Sequence, residues 1–322
     1  MFFFSFFLFY FFEHFQISTS PQVCVNSRIV TAPTNFYISN CIYKSLTSST
    51  DGGAISLTLS ECRMLIEGSF FDTIIAPKAG AITFTCTGTG GSVLDKVCSH
   101  KVVVSSGQYY QFGYFSVSSS QKINRAFYLS ITQSRISSAT LYESVRFNQG
   151  NQVCDYMNSS YNHLSYGSGA VFNYPVNSSS SYCTFSNNQD NGYRCIYFYQ
   201  GSGTCYMQYS NVVSNNQGSA TLSNVFRNYQ VTSYVSHCVL YQNIAKCMFD
   251  IESGKMYVSN CYSDNYLYYA NQPIFLNKFG PSNTFIINHL NSYLCYAPYL
   301  KSNWKRYETR HFYILCHFLL KW

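Results

Sequence analysis

The spacing of the cysteines constrains the fold of this chain more than any other feature of its sequence. Fourteen cysteines are spread over 322 residues, and several pairs of them lie 21 to 24 residues apart. A serine often lies two positions before the cysteine, as in Ser39-Asn40-Cys41 and Ser236-His237-Cys238. A recurrent interval of this length predicts an array of small repeated structural units. The cysteines of the repeat are Cys41, Cys62, Cys86, Cys183, Cys205, Cys238 and Cys261.

Asparagine and glycine mark the same repeat. Asn188 and Asn243 each lie five residues after one of these cysteines, and Asn265 lies four residues after another. Small-residue turns that contain Gly53, Gly80 and Gly169 each precede a short apolar stretch. In Ile82-Thr83-Phe84-Thr85-Cys86, apolar residues alternate with hydroxyl residues, which indicates a strand with one buried face.

These marks predict an all-β fold, a single-stranded right-handed parallel β-helix. One coil cannot bury its own inner face, but coils stacked about 4.8 Å apart share a continuous core. A cysteine would act there as a small apolar side chain. An asparagine at a turn would accept a left-handed backbone and bond its neighbour in the next coil. With roughly 22 residues per coil, we expect about a dozen coils.

Composition and the chain ends complete this prediction. Charged residues make up only 10% and aromatic residues 19%, which favours pleated sheets. The apolar run Phe2–Phe12 is typical of a signal peptide and too short to span a bilayer. We therefore predict an extracellular or cell-surface protein, and the sequence leaves open whether a membrane anchors it. The predicted division is a leader or signal peptide at 1–20, a β-helix at 21–298 with a loop off the solenoid around 155–182, and a short irregular basic and aromatic tail at 299–322.

Two tetrapeptides resemble those of a known repeat family. Gly52-Gly53-Ala54-Ile55 and Phe185-Ser186-Asn187-Asn188 are similar to the GGA[ILV] and FxxN motifs of polymorphic outer-membrane-type β-helix repeats. Leu240–Asn243 and Tyr262–Asn265 resemble degenerate FxxN copies. Similar repeats occur in expanded surface-protein families of parasitic protists. The resemblance implies a right-handed β-helix ectodomain with a role in adhesion or surface variation.

No catalytic motif is readable, so we predict a non-enzymatic protein without a cofactor or metal. The main alternative is a carbohydrate-active β-helix, which needs carboxylates gathered on one lateral face. Asp250 and Glu252 lie two residues apart and would share a face of a strand. That alternative also expects the isolated Asp72, Asp155 and Asp190 on the same side. A third alternative is a degenerate family copy without activity.

The partner is predicted to be an unknown protein or glycan. Nucleic acid is disfavoured, because residues 301–322 carry five basic residues and one acid, or +4 of the net +7, so the remaining body is nearly neutral. Asn158 and Asn177 each begin an Asn-x-Ser sequence, the acceptor pattern for N-glycosylation. The Tyr-dense segments Tyr197–Tyr199 and Tyr266–Tyr269 predict core packing, with any exposed tyrosine available for contacts.

Overall fold

The computed structural model is a parallel β-solenoid, which confirms the predicted fold class. It describes residues 15, 26–105, 110–118, 122–136, 143–164, 167, 169–190, 192–220 and 222–277. Every strand pairing within them is parallel and joins successive coils. Of the predicted leader only Phe15 is described, and it packs against Tyr37, Leu65 and Val93. The predicted tail at 299–322 lies outside the described residues.

Each coil passes through three rows of strands, here called A, B and C, and then through a shorter row D. Row A contains β3 (Ile55–Leu59), β7 (Ile82–Cys86), β11 (Gly113–Val117), β15 (Val145–Asn148), β18 (Ala170–Asn173), β21 (Arg194–Tyr199) and β28 (Tyr268–Ala270). Row B contains β1 (Asn35–Ser39), β4 (Cys62–Glu67), β8 (Gly90–Asp95), β12 (Ile123–Phe127), β16 (Asn151–Asp155), β19 (Asn177–Ser181), β22 (Thr204–Gln208) and β29 (Ile274–Phe275). The long strands β24 (Asn224–Ser236) and β26 (Cys247–Ser259) run through both rows.

Rows C and D close the coil. Row C contains β2 (Ile42–Lys44), β5 (Phe70–Asp72), β9 (Cys98–His100), β13 (Ser130–Thr132), β17 (Asn158–Ser160), β20 (Thr184–Ser186), β23 (Asn211–Val213), β25 (Val239–Tyr241) and β27 (Tyr262–Ser263). Row D contains β6 (Ile75–Ala76), β10 (Val103–Val104) and β14 (Arg135–Ile136), and isolated bridges continue it.

The core is a set of columns in which one side chain per coil points inward. Phe115, Phe147, Phe172 and Phe198 form one column in row A, with successive ring centroids 5.6 to 6.1 Å apart. The inward residues alternate with outward ones along each strand, as in β7, because side chains of a strand point to opposite faces in turn. Aromatic stacking between coils therefore adds to apolar burial along the whole column.

The Ser-x-Cys mark is the corner between rows B and C. Its middle residue has a left-handed backbone, with φ between 50° and 57°, at Asn40, Tyr182, His237 and Asn260. The cysteine that follows points into the core, and strand register places Cys41, Cys183, Cys238 and Cys261 in one column. The corner turns the chain and the cysteine fills the narrow space behind it.

The predicted repeat of 21 to 24 residues is wrong as a coil length. Paired residues on successive strands lie 25 to 32 positions apart up to β24 and 23 apart between β24 and β26. Cys62, Cys86 and Cys205 lie in rows A and B, outside the corner column. The cysteines thus occupy different positions in the coil, so most intervals between cysteines do not equal the number of residues per coil. Because most coils are longer than predicted, row C has nine strands among the described residues rather than a dozen.

The described residues of the stretch 155–182 belong to the solenoid and not to a loop outside it. Strands β16 to β19 lie there or at its edges, with Asn151 in register with Asn177 and Asn158 with Thr184. Ser178 and Ser180 are buried. Small hydroxyl side chains fit inside the coil, and the interstrand hydrogen bonds use only the backbone. A Ser-rich composition is therefore compatible with a strand here.

A ladder of asparagines lines the corner between rows C and D. Its members are Asn162, Asn188, Asn215 and Asn243, and the side-chain oxygen of each later member accepts from the backbone N–H of the member before it. The left-handed residue is not the ladder asparagine but the one before it, such as Asn187 before Asn188 and Gln242 before Asn243. Extension of the register of β25 and β27 by two residues places Asn265 opposite Gln242 and not opposite Asn243, and its side chain accepts from the Leu267 N–H.

The marker glycines are required by close approach between coils. A Cβ atom on Gly53 would lie 2.5 Å from the carbonyl oxygen of Gly80, and one on Gly80 would lie 2.5 Å from that of Gln111. A Cβ on Gly169 would lie 2.3 Å from the carbonyl oxygen of Cys195. Any side chain at these positions would therefore force successive coils apart.

Candidate functional site

Asp250 and Glu252 lie together on the outer face of β26, and both contact Arg227 of the preceding coil. Arg227 Nε lies 3.4 Å from Asp250 Oδ2, and its Nη2 lies 2.5 Å from Glu252 Oε2. Asn224 also donates its side-chain amide to Asp250 Oδ2 at 3.3 Å. Burial raises the pKa of Asp250, while the positive charge of Arg227 opposes that rise. The predicted acid pair is therefore an ion-paired clamp around one guanidinium group.

A second ion-pair group continues this one along row A. Glu143 Oε1 accepts from Arg146 Nη2 at 3.0 Å and from Arg194 Nη2 at 3.1 Å. Arg194 lies two coils beyond Glu143 in register, and its guanidinium carbon is 3.9 Å from the Tyr197 ring centroid. Each carboxylate of the two groups contacts an arginine. This arrangement stabilises the outer face of row A, because paired charges can be buried where single ones cannot.

The other acids considered for carbohydrate chemistry lie elsewhere on the coil. Asp72 is in row C, where its Oδ1 is 3.0 Å from His100 Nδ1. Asp155 ends a row B strand, where its Oδ1 accepts from the Ser181 N–H at 3.0 Å. Asp190 lies beside row D, where its Oδ1 accepts from the N–H groups of Gly192 and Tyr193. Only Asp250 and Glu252, of the five, come together.

The most unusual outer feature is a column of stacked aromatic rings on the corner between rows B and C. This corner ladder consists of Tyr128, Tyr156, Tyr182, Tyr209 and His237, with successive centroids 4.7 to 5.3 Å apart. The three tyrosine–tyrosine stacks lie within 11° of parallel. Tyr128 and Tyr182 are exposed, so the edges of the rings face solvent while their faces cover one another.

A second ladder runs beside the first on the outer face of row B. It consists of Tyr206, Tyr234 and Tyr257, with centroids 5.4 and 4.8 Å apart. Tyr206 and Tyr209 belong to the same coil, three residues apart, so the two ladders are neighbours. We call the corner ladder and this row B ladder together the tyrosine face. The outward row B residues around it in β19, β22, β24 and β26 are Asn, Ser, Thr, Tyr and Gln, with one lysine.

The backbone at the corner ladder is costly for tyrosine. Tyr128, Tyr156, Tyr182 and Tyr209 all have φ between 49° and 57°, a region in which glycine and asparagine are far less strained. Such strain costs on the order of 1 kcal/mol per residue, which ring stacking of about 0.5–1.5 kcal/mol can offset. Asn40 and Gly68 occupy the same corner in earlier coils, so the corner itself does not require tyrosine.

The sequence prediction about tyrosines was partly misplaced. In Tyr197–Tyr199, Phe198 lies in the core and Tyr197 is buried beneath arginines. Tyr266–Tyr269 are exposed in the last described coil. The tyrosine face was missed, although the sequence did contain a signal for it. Tyr182 and His237 occupy the middle of the Ser-x-Cys mark, the position that the structure identifies as the corner.

The two predicted glycosylation acceptors differ in exposure. Asn158 is 8% exposed in β17, and its side-chain oxygen accepts from the Ser160 hydroxyl. Asn177 is exposed at the start of β19, and its side-chain oxygen accepts from the Thr204 N–H at 3.3 Å. Of the two acceptors, Asn177 is therefore the exposed one.

No protein-family model, curated protein or solved structure matches this chain. Across the described ranges, His, Cys, Asp and Glu side chains form no group of three that could hold a metal ion. In the same part of the chain, no helix is sufficiently long and apolar to cross a membrane.

Proposed function

We propose that this protein is a non-enzymatic, secreted or cell-surface β-helix that binds a partner through the tyrosine face. The observation that carries the proposal is the corner ladder, where tyrosine recurs in successive coils at a backbone position that disfavours it. Backbone outliers of this kind are a ground for inferring function. Tyrosine with serine, threonine and asparagine is also the chemistry of binding surfaces that must be rigid and adaptable.

The geometry favours a protein partner over a glycan. The rings of both ladders cover one another's faces, so the tyrosine face offers ring edges and hydroxyl groups. Sugars commonly pack their apolar side against an open aromatic face, and a stacked ladder offers few of these. A protein can use the edges for apolar contact and the hydroxyl groups for hydrogen bonds.

The leader-like apolar N-terminus supports the proposed location. The finer family assignment also stays a proposal, supported by the positions of the two tetrapeptides. Gly52–Ile55 leads into row A and recurs in register as Ala79–Ile82, whereas Phe185–Asn188 ends in the asparagine ladder. The carbohydrate-active alternative has less support in the described residues, because Asp250 and Glu252 both contact Arg227.

The test is binding of the labelled full chain to a panel of intact cells. We expect the double variant Tyr182→Asn with Tyr209→Asn to lose at least tenfold in affinity. Asparagine accepts the left-handed backbone, so the fold should be retained, which circular dichroism checks. The matched control is Tyr161→Asn, an exposed left-handed tyrosine on the next corner.

The outcomes separate the alternatives. Protease treatment of the cells should abolish binding, whereas loss only after enzymatic removal of glycans would identify a glycan ligand. Cleavage of a polysaccharide by the purified chain would establish the carbohydrate-active alternative. A wild-type chain that binds none of the cells would support the degenerate copy.

A further inference from the structure

We infer that Asn177 is a glycosylation site whose glycan shields the tyrosine face and so limits partner binding. The inference rests on the proposed function, because it needs both the secretory pathway and a binding surface. It follows from the position of Asn177 on the coil and from its contrast with Asn158.

Asn177 lies on the outer face of row B, at the edge of the tyrosine face. Strand register pairs Ser179 of β19 with Tyr206 in the next coil, and the Thr204 N–H of that coil donates to Asn177 Oδ1. Asn177 and Tyr206 are therefore diagonal neighbours on one face of a sheet, with Cα atoms about 7–8 Å apart. Tyr182 of the corner ladder ends the same passage, five residues further along. A bulky substituent on Asn177 would stand beside Tyr206 of the row B ladder, and an oligosaccharide there would also reach Tyr182 of the corner ladder, roughly 16 Å along the strand.

The side chain of Asn177 is suited to carry that substituent. Its oxygen accepts from the Thr204 N–H, which holds the amide in place, and the residue as a whole is exposed. In the transfer, Asn177 Nδ2 attacks the anomeric carbon of a lipid-linked oligosaccharide diphosphate. The new C–N bond replaces the bond to the diphosphate, which leaves with the electron pair, and Nδ2 loses one proton to a base of the transferase.

Asn158 has the same acceptor pattern but the opposite environment. It is 8% exposed, and its side chain is bonded to Ser160. A sugar attached to Asn158 would have to displace neighbouring side chains of row C. Two of these neighbours, Ser130 and Ser160, are themselves buried. A chain modified at Asn158 would therefore not form this solenoid.

The first measurement is the intact mass and the peptide map of the full chain expressed through a eukaryotic secretory pathway. We expect one N-glycan on Asn177 and none on Asn158. The second is binding of the glycosylated chain to the cells used above, compared with Asn177→Gln and with the chain after enzymatic deglycosylation. Both unmodified forms should bind several-fold more tightly. The control Asn158→Gln should bind like the wild type if it folds.

The failure of this inference differs from that of the proposed function. A secreted chain without a glycan on Asn177 overturns the inference and leaves the tyrosine face intact as a binding surface. Equal binding of the glycosylated chain and Asn177→Gln overturns the shielding. If a glycan is present and neither form binds any cell, both the proposed function and the shielding are overturned.

Discussion

The side-chain amide of Asn188 donates to Oδ1 of Asn215 in the next coil, with a nitrogen–oxygen distance of 3.0 Å. The backbone N–H of Asn188 reaches the same oxygen at 3.2 Å. The side-chain amide of Asn215 donates in turn to the carbonyl oxygen of Phe185 and to Oδ1 of Asn243. The buried side chain of Asn215 thus bonds to donors and acceptors of three successive coils. It does so at a corner, where the backbone hydrogen bonds between strands are interrupted.

Replacement of Asn215 by alanine should therefore destabilise the solenoid strongly. Asn215→Ala leaves the Asn188 N–H groups and the Phe185 carbonyl group without this partner, at a cost of about 2–3 kcal/mol in the free energy of unfolding. Urea denaturation followed by circular dichroism measures the change. Asn265→Ala, outside the ladder, is the control and should cost less than about 0.5 kcal/mol. Equal effects of the two substitutions would contradict the ladder's structural role.

The contact between Glu143 and Arg194 predicts a large effect of removing one charge. Glu143→Gln keeps the shape of the side chain but leaves two arginines, one of them almost fully buried, without their carboxylate. Unpaired buried charge typically costs about 3–5 kcal/mol. Glu252→Gln is the control, because that side chain is 51% exposed and exposed ion pairs contribute less than about 1 kcal/mol. Chemical denaturation of both variants at neutral pH measures the difference.

Substitution of Asp190 by asparagine should stabilise the protein relative to the wild type, and the gain should grow as the pH rises. Burial raises the pKa of its carboxyl group to about 7, above the unfolded value of about 4. The folded state therefore binds the proton more tightly, and this contribution to stability is lost as the pH rises from about 4 through 7. Asp190→Asn keeps an oxygen to accept from Gly192 and Tyr193 but stays neutral. Its stability relative to the wild type should increase between pH 4 and pH 8 by about 2–4 kcal/mol. Denaturation at the two pH values tests this, and a gap that does not change with pH would contradict it.

The buried thiols should resist alkylation in the native protein. Cys62, Cys205 and Cys247 are free and buried, whereas Cys41 and Cys98 are disulfide-bonded. Burial raises the pKa of Cys62 and Cys205 to about 12 and that of Cys247 to about 11. The reactive thiolate form is therefore scarce at pH 8. Mass spectrometry after iodoacetamide treatment should show these three cysteines modified only in denaturant. Modification at the rate of a free thiol in the native protein would show that the core is open.

Much of the fold could be predicted from local patterns. Alternation in Ile82–Cys86 indicates a strand with one buried face, and a short repeat that cannot bury that face alone must stack. The Ser-x-Cys mark and the asparagines that follow are corner signals that the structure places between rows B and C and between rows C and D, with Asn265 as an exception. The sequence also placed Asp250 and Glu252 on one face, since residues two apart in a strand share it.

The sequence by itself thus determined that the chain forms strands, that they stack in parallel, and which residues mark the corners. Only the tertiary structure decided which residues lie above one another. Backbone hydrogen bonds set the register between coils, and segments between strands absorb differences in length, so coils of 25 to 32 residues still align. Most cysteine intervals therefore did not equal the coil length. For the same reason Tyr128, Tyr156, Tyr182 and Tyr209 form one ladder, and Arg194 reaches Glu143, 51 residues earlier.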